Sequence, residues 1–332
     1  MIRQTMTSPF TGGVATLLSE PSTLVFRKET FHYVHQFYEC QDSHEHFTTS
    51  ELDEANLAQV YNQYRAKYGI PSPEEIKHIR QHYGLSATKM SEILGFGENQ
   101  YRLYENGEMP SEANGKVLMS IMNPEIFRVF VENARGQFSE ADYGKLLAKA
   151  NVLEEGKYPP AVVDYVFGEN RRDINNGYTA LSISKIKNVL LYFIEKSHGV
   201  FITKMNKLLF YTDFLSYRVS GKGMTGLRYK AIQHGPVPVR WDRIYSFYDD
   251  IHQEIVQLSN DREGTMLISN LSPVMADFSD EELEILRTVY ERFKKETPTQ
   301  ISETSHQEEA WDKYFDTDLP ISFDMAFSLK AI

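Results

Sequence analysis

Three neighbouring side chains have the chemistry to read a nucleic acid. Asn99 and Gln100 carry amides that can pair bidentately with adenine, and Arg102 carries a guanidinium that can pair with guanine. Ser86 and Lys89 precede them and are placed for phosphate oxygens, the contacts that set register rather than sequence. A second group, Cys40 with His44 and His46, has the donor types of a metal site. A structural zinc site takes four local ligands, so no metal is expected there. A third group, Tyr211, Asp213, His234 and His306, contains the residue types of acid–base catalysis. No nucleophile motif, phosphate-cradling glycine loop or metal triad accompanies it, so no catalytic residue is assigned. Asp213 reads as a helix-surface carboxylate or one bonded to a neighbouring tyrosine, and His234 before Gly-Pro as a turn residue.

The elements that position the first group are short helices. Ser72 caps one, Pro73 suits its first position and Glu75 completes a capping box, with a stop at Gly84 after Tyr83. Ser86 opens a second helix with Met90, Ile93 and Leu94 on one face, and Gly95-Phe96-Gly97 supplies a sharp turn. A third helix is predicted from Glu98 to Tyr104, closed by Asn106-Gly107, and Pro110-Ser111 starts a fourth. Helix, tight turn and helix make a helix-turn-helix whose third helix would enter the major groove, with Leu103 and one of Tyr101 or Tyr104 closing its core. From Pro73 to Arg135 there are seven Lys or Arg against nine Glu. A unit so poor in cations binds DNA weakly as a single copy, which predicts a homodimer on a palindromic operator.

The stretch GFGENQYRLYENGEMPS resembles the DNA-binding half of MqsA-type antitoxins, a subgroup of lambda-repressor-like helix-turn-helix proteins. The resemblance implies base contact at the start of the third helix. Asn99 falls on an Asn of the family pattern, whereas Arg102 stands one place before the family's Arg, at Leu103 here, so base preference does not transfer.

Ahead of this unit, residues 14–49 alternate apolar and polar side chains, which predicts three or four antiparallel strands with a turn near Glu20-Pro21-Ser22. A helix beginning near Ser50, with Asp53 as box partner and Leu52, Leu57, Val60 and Tyr64 as its stripe, then runs to Gly69. In the MqsA-like relatives the N-terminal unit is often a zinc ribbon built on two CxxC pairs. Here the first pair falls at Ser8-Pro9-Phe10-Thr11-Gly12, without a thiol, and the second keeps only Cys40. The expectation is a metal-free relic held by Phe26, Phe31, Tyr33, Phe37 and Phe47.

After a break around Glu154-Glu155-Gly156-Lys157-Tyr158-Pro159-Pro160, and with a short helix at 139–150, a second large domain begins. Apolar-striped helices are predicted at 182–197 and 202–217, a strand at Tyr229–Gln233 ended by His234-Gly235-Pro236-Val237-Pro238, and a helix from Val239 to Asp250. Capping boxes at Ser279/Glu282 and Ser305/Glu308 predict helices at 280–296 and 306–314. This half resembles the SocA-like domain called Panacea, on Lys207-Leu208-Leu209-Phe210-Tyr211-Thr212-Asp213, on Tyr229 with His234-Gly235-Pro236, and on Ser305-His306 ahead of Ala310-Trp311. The resemblance implies neutralisation of a protein toxin but carries over no contact residues; Lys207, Tyr211, Tyr229, His234 and Trp311 are the candidates it brings forward. Residues 185–243 hold eleven Lys or Arg against three acids, and 249–324 hold six against nineteen. Such fields can steer a charged partner, or the two segments can pack together and cancel.

A chain of 332 residues, 41% apolar and with net charge −11, has ample material for several cores and is too acidic for a general nucleic-acid coat protein. It shows no leader peptide and no apolar run able to cross a bilayer, and one cysteine excludes an intrachain disulfide, so a cytoplasmic protein without cofactor or membrane association is expected. The fold class is α+β, predominantly helical: a β-rich unit with a helix at 1–69, a lambda-repressor-like helix-turn-helix at 70–135, a connecting region at 136–180 and a mostly α Panacea-like domain with a short sheet at 181–325. The combined reading is an antitoxin that binds a toxin and represses its own operon. The alternatives are a phage or host transcriptional regulator whose C-terminal domain dimerises or senses a protein, and an enzyme carrying a DNA-binding module.

Overall fold

The computed structural model describes residues 3–152, 158–257, 263–276 and 278–332, with the side chains of 149–152 left out. Part of the break expected at 154–160 therefore lies outside the described residues. The protein is α+β and forms two compact units, one of Met1–Tyr61 with Pro160–Ile332 and one of Asn62–Pro159.

In the first unit, β1 (Thr5–Thr7), β2 (Val14–Phe26), β3 (Glu29–Cys40) and β4 (His46–Phe47) make an antiparallel sheet in that order. The expected turn at Pro21 does not form. Pro21 pairs with Val34 inside the β2–β3 ladder, and the chain reverses at Arg27-Lys28, both at positive φ. Proline is tolerated because β1 pairs only with residues 14–16 and leaves Pro21 on an open edge. The helix α1 (Ser50–Tyr68) starts under a cap from Thr49, whose hydroxyl accepts the Leu52 N–H at 3.3 Å; the expected partnership of Ser50 with Asp53 is not used. Leu52, Val60 and Tyr64 are buried and Leu57 is exposed. The amides of Asn56 and Gln59 take the place of a missing strand: each bonds both backbone groups of one β3 residue, Gln36 and Val34, at 2.9–3.0 Å. Buried backbone groups must be paired, and here side chains complete an edge that β4 is too short to cover.

The second unit contains α2 (Pro73–His82), α3 (Ala87–Leu94), α4 (Gln100–Glu105), α5 (Glu112–Ser120), α6 (Pro124–Asn133) and α7 (Glu140–Val152). The Ser72/Glu75 capping box and the Ser86 and Ser111 caps are present. Its core joins Ile76, Ile79, Tyr83, Met90, Ile93, Tyr101, Tyr104, Leu118, Phe127 and Val131. Both tyrosines of α4 are buried and Leu103 is 43% exposed, the reverse of the expected burial of Leu103. Positions 101 and 104 share one face of a helix, and 103 lies roughly 200° around from 101.

The remainder of the first unit is α8 (Pro160–Phe167), α9 (Ile183–Ser197), β5 (Val200–Phe201), α10 (Ile202–Ser220), β6 (Tyr229–Ile232), β7 (Gly235–Pro238), α11 (Trp241–Ile244), β8 (His252–Gln257), β9 (Glu263–Ile268), α12 (Asp280–Phe293), α13 (Pro298–His306) and α14 (Glu309–Tyr314). Three expectations change. The helix predicted over 239–250 is a single turn, entered through Arg240 at positive φ. Gly235–Pro238 is the return strand of a hairpin, and β5, β9 and β8 form a further sheet. The box predicted at Ser305/Glu308 is absent because α13, opened by Thr297 and Gln300, already contains Ser305.

Helix α10 is buried on all sides from Met205 to Tyr217, as a central core helix is. It carries Asp213, whose carboxylate accepts the N–H of Met224 and of Thr225 at 2.7 Å, the Thr225 hydroxyl at 2.5 Å and the Tyr229 hydroxyl at 2.6 Å. The loop after α10 and the first residue of β6 are thereby tied to the core helix. Burial pushes the Asp213 carboxyl up, and the four donors oppose it; since every partner donates, the ionised form suits the site. Asp213→Asn turns one acceptor into a donor facing donors. It should cost about 3 kcal/mol or more in urea denaturation, while an exposed change such as Glu254→Gln should cost about 0.5 kcal/mol or less.

Candidate functional site

The C-terminal motif residues meet where α10, the β6–β7 hairpin, α13 and α14 pack. Lys207 and Tyr211 stand one turn apart on α10, both fully buried. The Tyr211 hydroxyl donates to Glu308 Oε1 at 3.1 Å, and Glu308 also accepts the N–H groups of Lys330 and Ala331. Tyr229 is fully buried on Asp213. Of the candidate toxin contacts, only His234 is exposed and Trp311 half-buried; Trp311 Nε1 donates to the Ile232 carbonyl at 2.8 Å, and its ring lies 4.2 Å from that of His306. Gly235, at φ +98°, lets the hairpin approach the helices. A Cβ there would stand 2.3 Å from Ser305 Oγ and 2.6 Å from Lys207 Cε, so no other residue fits.

Lys207 Nζ has no hydrogen-bond partner among the described residues, and neither have Ser302 Oγ and His306 Nε2. Burial lowers the Lys207 amine to about 7. His306 is lowered by burial and then by the charge of Lys207, against a bond to the Gln233 carbonyl. The charge asymmetry is partly neutralised within the unit, since Lys185 pairs with Glu282 at 2.5 Å and Lys187 pairs with Asp250.

In the second unit, α4 is held across α3 and α2. The Tyr101 N–H donates to Ser91 Oγ at 3.1 Å, and the Tyr101 hydroxyl to the Ile76 carbonyl at 2.8 Å. Arg80 grips Glu105 through Nε and Nη2 and donates to the Leu85 carbonyl, a bidentate clamp at the far end of α4. α4 begins at Gln100 rather than Glu98, leaving Asn99 as an N-cap without a side-chain cap bond. Asn99, Arg102 and Leu103 are exposed and Gln100 is half-buried, its amide donating to Glu108 at 2.9 Å. Ser86 is engaged as the cap of α3, and Lys89 pairs with Glu92 at 2.8 Å and covers the Phe138 ring at 4.4 Å. Asn99 and Arg102 are thus exposed polar side chains at the start of α4.

The N-terminal sheet brings two matching turns together. Gly12 N–H bonds the Ser8 carbonyl and His44 N–H the Cys40 carbonyl. Thr11 Oγ1 lies 3.4 Å from the Cys40 sulfur, and the hydroxyls of Ser43, Ser8 and Thr11 lower the thiol to about 6. These are four converging positions at x-x spacing, as in a metal ribbon, with hydroxyls at three of them. Sequence reading found Cys40 but placed His44 and His46 beside it; both histidines instead bond Glu39 at 3.1 Å. Among the described residues no cluster of three His, Cys, Asp or Glu side chains is placed for a metal. Hydroxyls are poor zinc ligands, so the residues present do not fit the ion.

Two outcomes follow from this geometry. The triple variant Ser8→Cys, Thr11→Cys, Ser43→Cys should bind one zinc per chain, counted by metal analysis after dialysis, and melt higher with zinc than with chelator. For Lys207 the folded value of about 7 lies below the unfolded value of roughly 10.4. Across that window the unfolded chain holds one more proton, so folding stability rises with pH; below about 7 both states are protonated and the contribution is flat. Lys207→Met should remove this rise, measured as the difference in urea stability between wild type and variant at pH 7 and pH 9.5.

Among the described residues no helix is long and apolar enough to cross a membrane. No curated protein and no solved structure gives a significant match. Residues 205–312, which span α10 to the middle of α14, match the family model for the antitoxin SocA-like Panacea domain.

Proposed function

We propose that this protein is an antitoxin, acting in the cytoplasm, whose C-terminal domain binds and neutralises a protein toxin and whose helix-turn-helix represses its own operon. The observation that carries the reading is the likeness of residues 205–312 to the SocA-like Panacea domain. The exposed His234 and the half-buried Trp311 on the hairpin side of that region are the proposed toxin contacts. The role needs no catalysis, and Asp213, the one acid of the acid–base group, is fully buried and satisfied by four donors.

For the DNA half of the proposal, α3, the Gly95 turn and α4 are the helix-turn-helix, and Asn99 and Arg102 are its readers. Gly95 at φ +69° gives the sharp stop such a turn requires. The surrounding acids make a single copy a weak binder, so a homodimer on a palindromic operator is proposed, with toxin binding altering repression through dimer geometry or avidity. The exposed pair Asn99 and Arg102 also favours a second reading, a transcriptional regulator without a toxin.

Co-expression with the product of the adjacent gene separates the two. Growth arrest by that product alone, relieved by the full chain and by Arg102→Ala but not by a His234→Asp, Trp311→Ala variant, supports the antitoxin. A harmless neighbour leaves the regulator. On the native promoter Asn99→Ala and Arg102→Ala should each weaken binding by about 1–3 kcal/mol in a salt-controlled titration. Unchanged affinity in both places base reading elsewhere.

A further inference from the structure

The buried amine of Lys207 lacks the counter-ion that a desolvated cation needs. Glu308, the buried acid that follows α13, is already engaged by the Tyr211 hydroxyl and two backbone N–H groups. Lys207 Nζ, Ser302 Oγ and His306 Nε2 have no hydrogen-bond partner among the described residues. Lys207 and Ser305 both flank Gly235, the Ser305 hydroxyl donates to the Ser302 carbonyl at 2.8 Å, and His306 feels the charge of Lys207. Ser302, Ser305 and His306 sit at three- and four-residue spacing and so share one face of α13. The turn Gln233–His234, both residues exposed, adjoins His306. A buried ammonium without a partner costs several kcal/mol, and buried hydroxyl and imidazole atoms add to that cost.

We propose that the polar cluster beneath the Gln233–His234 turn is a carboxylate-binding site, with Lys207 Nζ and Ser302 Oγ donating to the oxygens and the turn as its entrance. Burial and the charge of Lys207 lower His306, so near pH 8 it adds no second positive charge. One ammonium and one hydroxyl match a single negative charge on two oxygens. A phosphate dianion would leave charge and oxygens without donors. The charged groups acting on His306 are Lys207, His234 and Glu303, Lys207 itself feels burial alone, and the buried acid Glu308 is held by Tyr211 one turn along α10. A bound carboxylate raises the Lys207 amine from about 7, so binding near pH 8 takes up a proton. Only the source of the carboxylate, an acidic side chain of a toxin or a small free acid, rests on the antitoxin reading.

Acetate is the probe. With the full chain at pH 8 and constant ionic strength, replacing chloride by acetate should raise Tm in a saturable way. Calorimetry in two buffers of different ionisation enthalpy should show uptake approaching one proton per acetate. Lys207→Met, an apolar replacement of similar length, should fold and lose both effects, and Ser302→Ala should weaken acetate at least several-fold. Acetate acting no differently from chloride, or equally on Lys207→Met, overturns the site. If acetate competes with toxin for the wild-type chain, the natural carboxylate is the toxin's; binding without competition assigns a free acid. Failure of toxin neutralisation with acetate binding intact overturns the antitoxin reading and leaves the site standing.

Discussion

The first unit depends on one buried carboxyl group. Asp213 lies near the middle of a helix surrounded by apolar packing, where an ionised group is tolerated only if its oxygens are fully satisfied. Its four donors come from the loop after α10 and the first residue of β6. The carboxyl group converts that need into position: Thr225 and Tyr229 must stand over α10, and β6 then places the hairpin against α13. Stacking of Phe214 on Phe323 and the hydrogen bond from the Ile321 N–H to the Tyr229 carbonyl extend the same arrangement to the C-terminal segment.

The unit is also held by side chains substituting for backbone. Asn56 and Gln59 close the open edge of β3, and Gln36 donates to the Arg218 carbonyl at the end of α10. At Gly221 the chain after α10 passes so close to α1 that a Cβ would stand 2.7 Å from Gln59 N. The N-terminal sheet therefore belongs to the Panacea-like core by specific polar contacts. Its turn pair gathers the hydroxyls of Ser43, Ser8 and Thr11 around the Cys40 thiol.

Against these satisfied groups, Lys207 stands out. Evolution places polar atoms in cores at a cost, and Asp213, Asn206 and Glu308 all show the cost offset by partners. Lys207 Nζ, Ser302 Oγ and His306 Nε2 lack such partners among the described residues, and a glycine beside Lys207 alone permits the hairpin to approach. In the second unit the contrast is reversed: Arg80 and Lys89 are paired with Glu105 and Glu92, while Asn99 and Arg102 are exposed at the surface.

Local chemistry was legible from the sequence wherever the determinant lies within a few residues. The caps at Ser72, Ser86, Ser111, Ser182 and Ser279 act through bonds to the next turn, and glycine stops such as Gly95 act through their own φ. The α+β class, the order of the large helices and the segment with Panacea-like motifs followed from such signals. What depends on distant partners did not. Pro21 sits in a strand because of which edge is free, Leu103 is exposed because a six-residue helix can bury only one face, and Ser305 serves α13 because Thr297 had already begun that helix. Hydroxyls at 8, 11 and 43 gather on Cys40, and the amine of Lys207 is enclosed, only once the sheet and the helices have packed. Burial and convergence are properties of residues far apart in the chain, and tertiary structure alone decides them.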